Sequence, residues 1–203
     1  VHYHAEIYLE NLEDVESQVA EIMEPYDENL AVEEYEEDGE VFSRNPNSFW
    51  DWYQIGGRWT GSHDDYDPTN DQKNLEICSL CEGTGFRNDE LGIETRLNDP
   101  TYTCNGCGSY DYENKQWKDS GYGKGVRLKW ATQWKRYDGD VCSIKNVKDD
   151  LGCATLIVNN QIYTEEEWNG TDWVKTDFDG KVKSKLNSLG ITDGYLVTVD
   201  YHD

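Results

Sequence analysis

His2-Tyr3-His4-Ala5-Glu6-Ile7-Tyr8-Leu9-Glu10 opens the chain and Tyr195-Leu196-Val197-Thr198-Val199-Asp200-Tyr201-His202 nearly closes it. Both stretches alternate with a period of two, the signature of a half-buried strand. In the first, Tyr3, Ala5, Ile7 and Leu9 share one face, while His2, His4, Glu6 and Tyr8 share the other. Two such segments at opposite ends of a chain of 203 residues predict antiparallel neighbours within one sheet.

Between them the signals are shorter. Val15, Val19, Ile22 and Met23 recur at helical spacing, with Asn11 as the expected cap and Pro25 as the stop. A second strand is expected within Val32 to Phe42. Leu156-Ile157-Val158 and Gln161-Ile162-Tyr163 flank an Asn159-Asn160 turn and read as a hairpin. Val182, Leu186 and Leu189 mark a short helix closed by Gly190. The order implies an α+β fold: an antiparallel sheet with helices on one face, with a ferredoxin-like arrangement as the specific expectation.

Cys78-x2-Cys81 and Cys104-x2-Cys107 interrupt this pattern. Each pair can hold half of a tetrahedral metal site, and the spacing between pairs allows the halves to meet, which points to structural zinc. Glycines follow each pair (Gly83, Gly85, Gly106, Gly108) and permit tight turns around an ion. Two disulfides are the competing reading. The expected organisation is an α+β core from residues 1–74 and 111–203 with a zinc-binding insertion at 75–110. Cys142 and Cys153 lack chelating spacing and suit buried thiols.

Apolar residues make up only 36% of the chain, yet 8 Trp, 14 Tyr and 4 Phe can supply a core. The longest aliphatic run, Ala154 to Val158, is too short to span a bilayer, so no membrane association is expected. No secretory signal pattern stands at the N-terminus, and the expected location is a reducing cytoplasm, which favours thiolate–metal over disulfide.

Net charge is −24, unevenly spread. Residues 1–43 carry 15 acids and no Lys or Arg, with Glu33, Glu34, Glu36, Glu37 and Asp38 concentrated together. Such a surface is expected to steer toward a basic protein. Residues 115–137 run the other way: Lys115, Lys118, Lys124, Arg127, Lys129, Lys135 and Arg136 face only Asp119. Trp117, Tyr122, Trp130, Trp134 and Tyr137 interleave with these bases, a composition that can track single-stranded nucleic acid. It equally suits internal compensation of the acidic surplus.

Phe49-Trp50-Asp51-Trp52-Tyr53-Gln54-Ile55-Gly56-Gly57-Arg58-Trp59-Thr60-Gly61 is the densest recognition chemistry in the chain. Trp50, Trp52, Tyr53, Gln54, Arg58 and Trp59 offer stacking faces and a planar cation for a nucleotide or a partner. The same residues could be the core of an aliphatic-poor fold. This motif, the run Met23 to Asn29 and the closing run Gly190 to Tyr201 resemble a family of small uncharacterised proteins of actinobacterial tailed phages. The resemblance implies a phage-encoded protein acting in the cytoplasm of an infected bacterium, and no activity comes with it. Cys78 to Gly85 resembles one CxxCxGxG repeat of DnaJ-type chaperones, but two cysteine pairs are half their complement and no J-domain motif is present.

His2, His4, Asp200 and His202 form a weaker set: if the terminal strands pair, these side chains share one face, joined by Glu6, and could build a second metal or acid–base site. His63-Asp64-Asp65 could likewise meet a divalent cation, though its spacing fits no defined loop. No GxSxG, P-loop, dinucleotide fingerprint or HExxH occurs. Three classes of function follow. The first is a non-enzymatic acidic, zinc-binding protein that engages a basic host or defence protein, with nucleic-acid charge as the feature it imitates. The second is a nucleotide-sequestering protein using the Trp-rich loop. The third is a nucleic-acid-processing enzyme using residues 115–137 and the terminal histidines.

Overall fold

A computed structural model describes residues 1–107, 110–111, 116–117, 124–134, 138–148 and 150–203, with backbone only at 110–111 and 116–117. The chain divides into two compact units, Val1–Tyr66 with Arg136–Asp203, and Asp67–Lys135.

The first unit is built on the two terminal strands. His2–Leu9 pairs antiparallel with Tyr195–His202 along its whole length, from His2 opposite His202 to Leu9 opposite Tyr195. On its other edge His2–Leu9 pairs with Thr155–Val158, and that pairing is parallel. Gln161–Thr164 closes this side as a hairpin strand. Asn159 (φ 50°) and Asn160 (φ 61°) make the turn in the left-handed region that Asn tolerates. Beyond the last strand, Trp52–Ile55 pairs with residues 199–202 and Val141–Ser143 with residues 195–197. The sheet is therefore mixed, not antiparallel throughout.

Its order is not ferredoxin-like. In that fold each βαβ unit is split by an intervening strand, so all neighbours run antiparallel. Here the first strand and Thr155–Val158 are direct parallel neighbours.

The helices lie on both faces, another departure from expectation. Helix Val15–Met23 lays Val15, Val19 and Met23 over Ala5, Ile7, Leu9, Val197 and Val199. Helix Val182–Ser188 sets Val182 and Leu186 against Leu156, Val158 and Leu196 on the opposite face. The reason is Thr155–Val158, buried at all four positions: a strand apolar on both sides must be covered on both sides. Gly190 (φ 74°) ends the second helix, and the Ile191 N–H reaches back to the Leu186 carbonyl. The first helix is capped by Asp14, whose carboxylate accepts from the Ser17 N–H (3.4 Å) and hydroxyl (2.8 Å). Asn11, the expected cap, instead accepts from the Glu13 N–H.

The second expected strand is a hairpin, Tyr35–Glu37 with Glu40–Phe42, turning at Asp38 and Gly39 where φ is 52° and 82°. The second unit is wider than the 75–110 insertion because Leu75–Ile77 pairs with Val126–Leu128, drawing both flanks of the cysteine segment into one body. It also carries helix Glu90–Asn98, capped by Asp89.

Candidate metal centre and a buried acid–imidazole network

Cys78 leaves the strand Leu75–Ile77 with its N–H bonded to the Gly125 carbonyl (2.9 Å). The chain then folds back, the Cys81 and Glu82 N–H groups both reaching the Cys78 carbonyl. Glu82, Gly83 and Gly85 take positive φ to complete the loop. Cys104 joins through its N–H to the Gly85 carbonyl (2.9 Å).

All four cysteines are buried, and their sulfurs lie within 4.8 Å of one another. Sγ–Sγ separations are 3.7 Å for Cys78–Cys104 and 3.5 Å for Cys81–Cys107. Thiolates about 2.3 Å from a tetrahedral ion stand roughly 3.8 Å apart, so the spacing is that of metal ligands, while bonded sulfurs sit at about 2 Å. The Gly106 N–H points at Cys104 Sγ (3.3 Å), as expected beside a metal-bound thiolate. These four residues could hold a metal ion. Cys153 is not part of such a site: burial pushes its thiol well up, and it donates to the Thr155 carbonyl (2.8 Å). Cys142 is half-buried and donates to the Ser143 carbonyl.

The polar face of the terminal strands carries a second constellation. Strand pairing sets His2 opposite His202, His4 opposite Asp200 and Glu6 opposite Thr198, so the expected face exists. Its hydrogen bonds divide it. Glu6, wholly buried, accepts from His4 Nε2 (2.7 Å), His63 Nε2 (3.0 Å) and the Thr198 hydroxyl (2.9 Å). Trp59 stacks on the His4 ring at 5.6 Å. Asp200, also buried, pairs with His2 Nδ1 (2.8 Å) and accepts from the Arg58 N–H (3.0 Å). His202 turns to Asp51 at the exposed end (2.9 Å).

A third buried carboxylate, Asp140, accepts from the Thr60 hydroxyl (2.7 Å) and the Gly61 N–H (2.8 Å). Among the described residues only the four cysteines meet the spacing for a metal cluster, so the histidine set forms none. What it forms is a buried cluster centred on Glu6, in which Nδ1 of His4 and Nδ1 of His63 make no hydrogen bond among the described residues. Burial would raise the Glu6 carboxyl, but hydrogen bonds and charge from His4 and His63 overcome that and hold it at about 2. Burial would likewise lower His63, but its interactions with Cys142 and Glu6 carry it to about 10. The pair is an imidazolium and a carboxylate at neutral pH.

The Trp-rich motif is folded around these acids. A Cβ on Gly57 would stand 2.8 Å from Asp200 Cγ, and one on Gly56 would stand 3.0 Å from Asp140 Cγ. The two glycines let the backbone reach carboxylates that its N–H groups then satisfy. The proposed stacking residues are distributed. Trp50 is core, its Nε1–H bonded to the Met23 carbonyl (2.9 Å) and its ring on edge against Tyr53. Trp52 lies on the other sheet face, against His2 at 5.6 Å. Tyr53 and Gln54 border a shallow depression with Glu16 and Ile55. Arg58 is exposed, and Trp59 is half-buried on His4.

His63 and Asp140 were not legible as members of this network. His63 sits in a loop without periodicity, and Asp140 is one acid among 42. The paired glycines were the available signal: a backbone needing two adjacent side-chain-free positions is approaching something closely.

On the acidic hairpin, Glu33, Glu34, Glu36, Glu37 and Asp38 are all exposed, and no ion pair among the described residues involves them. Tyr35 and Phe42 pair across it at 5.8 Å, and Arg44 lies over Phe42. In the basic stretch, Lys115, Lys118, Tyr122, Lys135, Arg136 and Tyr137 lie outside the described residues, as does the Trp117 side chain. The described cations have partners within their own unit: Arg127 holds Glu76 (2.7 Å), Lys129 donates to the Lys73 carbonyl, and Lys124 sits over Phe86. Trp130 is exposed. No helix of the described residues is long and apolar enough to cross a membrane. No family model, curated protein or solved structure matches the chain.

Proposed function

We propose that this chain is a zinc-stapled, non-enzymatic interaction protein whose acidic hairpin docks on a basic protein in place of nucleic acid. The carrying observation is the hairpin itself: five acids are exposed together and enter no ion pair among the described residues. Unpaired like charge raises the energy of the free protein, and a cationic partner relieves it. The four-thiolate spacing supports zinc as the resident ion, in a structural role. The phage resemblance of the Trp-rich motif supports a host or defence protein in the bacterial cytoplasm as the partner. The burial of Glu6, His4 and His63 argues against acid–base chemistry at that part of the histidine face, since a substrate has little access to them.

The test is capture from host lysate under nuclease by the wild-type chain and by a variant neutralised at Glu33, Glu34, Glu36, Glu37 and Asp38. The expected result is a stoichiometric basic protein whose binding weakens steeply with salt and is lost in the variant. Equal capture by the variant, or affinity indifferent to salt, overturns the reading.

A further inference from the structure

Tyr3, Phe49, Tyr201 and Trp173 wall a cleft of about 420 Å³. Small-ligand clefts commonly span about 300–1,000 Å³. Its rings are held in place. Tyr3 stacks on Tyr201 with centroids 5.4 Å apart and planes at 27°, and Phe49 packs on Tyr201 at 4.5 Å. The Tyr201 hydroxyl is fixed by Thr155 Oγ1 at 2.8 Å in the cleft floor. Trp173 comes from the hairpin Glu166–Trp168 and Trp173–Lys175, and it is 67% exposed.

The charged groups lining this cleft are Glu165, Glu166 and Asp203, all acidic and all exposed, and no Lys or Arg among the described residues lines it. Lys175 approaches from the outside, bonded to Glu166 at 3.3 Å with both side chains well exposed, a pairing a ligand can displace at little cost.

We propose that this cleft is a binding site for an arginine side chain of a protein partner. An anionic ligand would meet three carboxylates, and a purely apolar one would strip them of water without replacing it. A guanidinium suits both parts of the lining. It stacks flat on aromatic faces, gives up its hydration more readily than an ammonium, and offers paired N–H groups to a carboxylate. The inference rests on the reading of a basic partner and supplies that partner's anchoring residue. It stands on residues separate from the acidic hairpin, so each fails independently.

The probe is N-acetyl-arginine methylamide, titrated into the isotope-labelled protein and followed by amide and Trp indole resonances. N-acetyl-citrulline methylamide, of the same shape and neutral, is the control. The arginine probe is expected to shift the Trp173 indole and the Tyr3 and Thr164 amides saturably, with citrulline binding about tenfold more weakly. Trp173→Ala and the double change Glu165→Gln with Glu166→Gln alter exposed positions, and each should weaken the response severalfold while distant resonances stay in place. The hairpin-neutralised variant should respond as wild type. Equal binding of citrulline, shifts outside the cleft, or no response at saturating probe overturns the proposal. If the probe fails while salt-sensitive capture of a basic protein persists, the cleft is wrong and the hairpin reading stands. If the probe binds and capture is unaffected by hairpin neutralisation, the reverse holds.

Discussion

The carboxylate of Glu6 in the first strand and the imidazole of His63, 57 positions later in a loop, meet at 3.0 Å with both side chains closed off from water. This contact ties the loop after the Trp-rich motif to the centre of the sheet. It is an ion pair in a place where either charge alone would be strongly disfavoured. His4 and Thr198 donate to the same carboxylate, so the desolvated charge accepts three hydrogen bonds.

The pair makes stability depend on pH in a defined window. Glu6 is held at about 2, below its ordinary 4.5, so its contribution is complete above pH 4.5 and is lost as pH falls toward 2. His63 is carried from 6.5 to about 10, so its contribution is complete below pH 6.5 and is lost as pH rises toward 10. Both contributions are whole only between pH 4.5 and 6.5. Urea unfolding of the wild type and of the double variant Glu6→Gln with His63→Gln should differ most in that interval, with the difference shrinking on either side. A difference independent of pH would show that the two groups are not charged together.

Removing one partner is a harsher change than removing both. Glu6→Gln leaves an imidazolium buried beside an amide, and breaking a buried pair in this way costs about 3–5 kcal/mol. The single variant should therefore unfold at lower denaturant than the double variant. Chemical denaturation of both chains checks the order, and a single variant as stable as the double would mean that His63 simply discharges without cost.

The strands and the cysteines were legible because their signals are local. Alternation over eight residues places His4, Glu6, Thr198 and Asp200 on one face, and the cysteine spacing places four sulfurs together. The Asn159-Asn160 turn and the Gly190 stop were legible for the same reason. What escaped depends on contacts distant in sequence. Thr155–Val158 reads as a hairpin strand, but its uninterrupted burial, which demands helices on both faces, follows from a parallel pairing with residues 5–7. The Trp-rich motif drew attention to its rings. Its glycines carry more of its structural meaning, and Asp140 and Asp200 beneath them lie far along the chain.

Metal removal should act on the second unit before the first. A structural zinc site can contribute about 10 kcal/mol of apparent free energy in small modules. The native chain is expected to hold one zinc ion, measured by elemental analysis. Strong chelator should unfold the unit Asp67–Lys135 while amide resonances of the sheet, such as Val197 and Val199, stay protected. Cys78→Ser should lose the metal and reproduce that result. A variant with unchanged metal content and melting would show the four sulfurs to be a packing cluster only.

Gly57→Ala and Gly39→Ala make a matched pair, because both glycines have positive φ (56° and 82°) and only one is crowded. Around Gly39 nothing lies within 4 Å of an added Cβ, so the substitution pays only the conformational penalty of about 1–2 kcal/mol. At Gly57 the same atom would stand 2.5 Å from Asp200 Oδ2 and 2.8 Å from Asp200 Cγ, on a carboxylate held by His2 and the Arg58 N–H. Neither partner can yield without giving up a buried hydrogen bond, and overpacking of this kind adds about 1–3 kcal/mol. Gly57→Ala should therefore destabilise the first unit by about 2–5 kcal/mol in chemical denaturation, clearly more than Gly39→Ala. Equal losses in the two variants would mean that the loop does not close on Asp200 as tightly as this geometry requires.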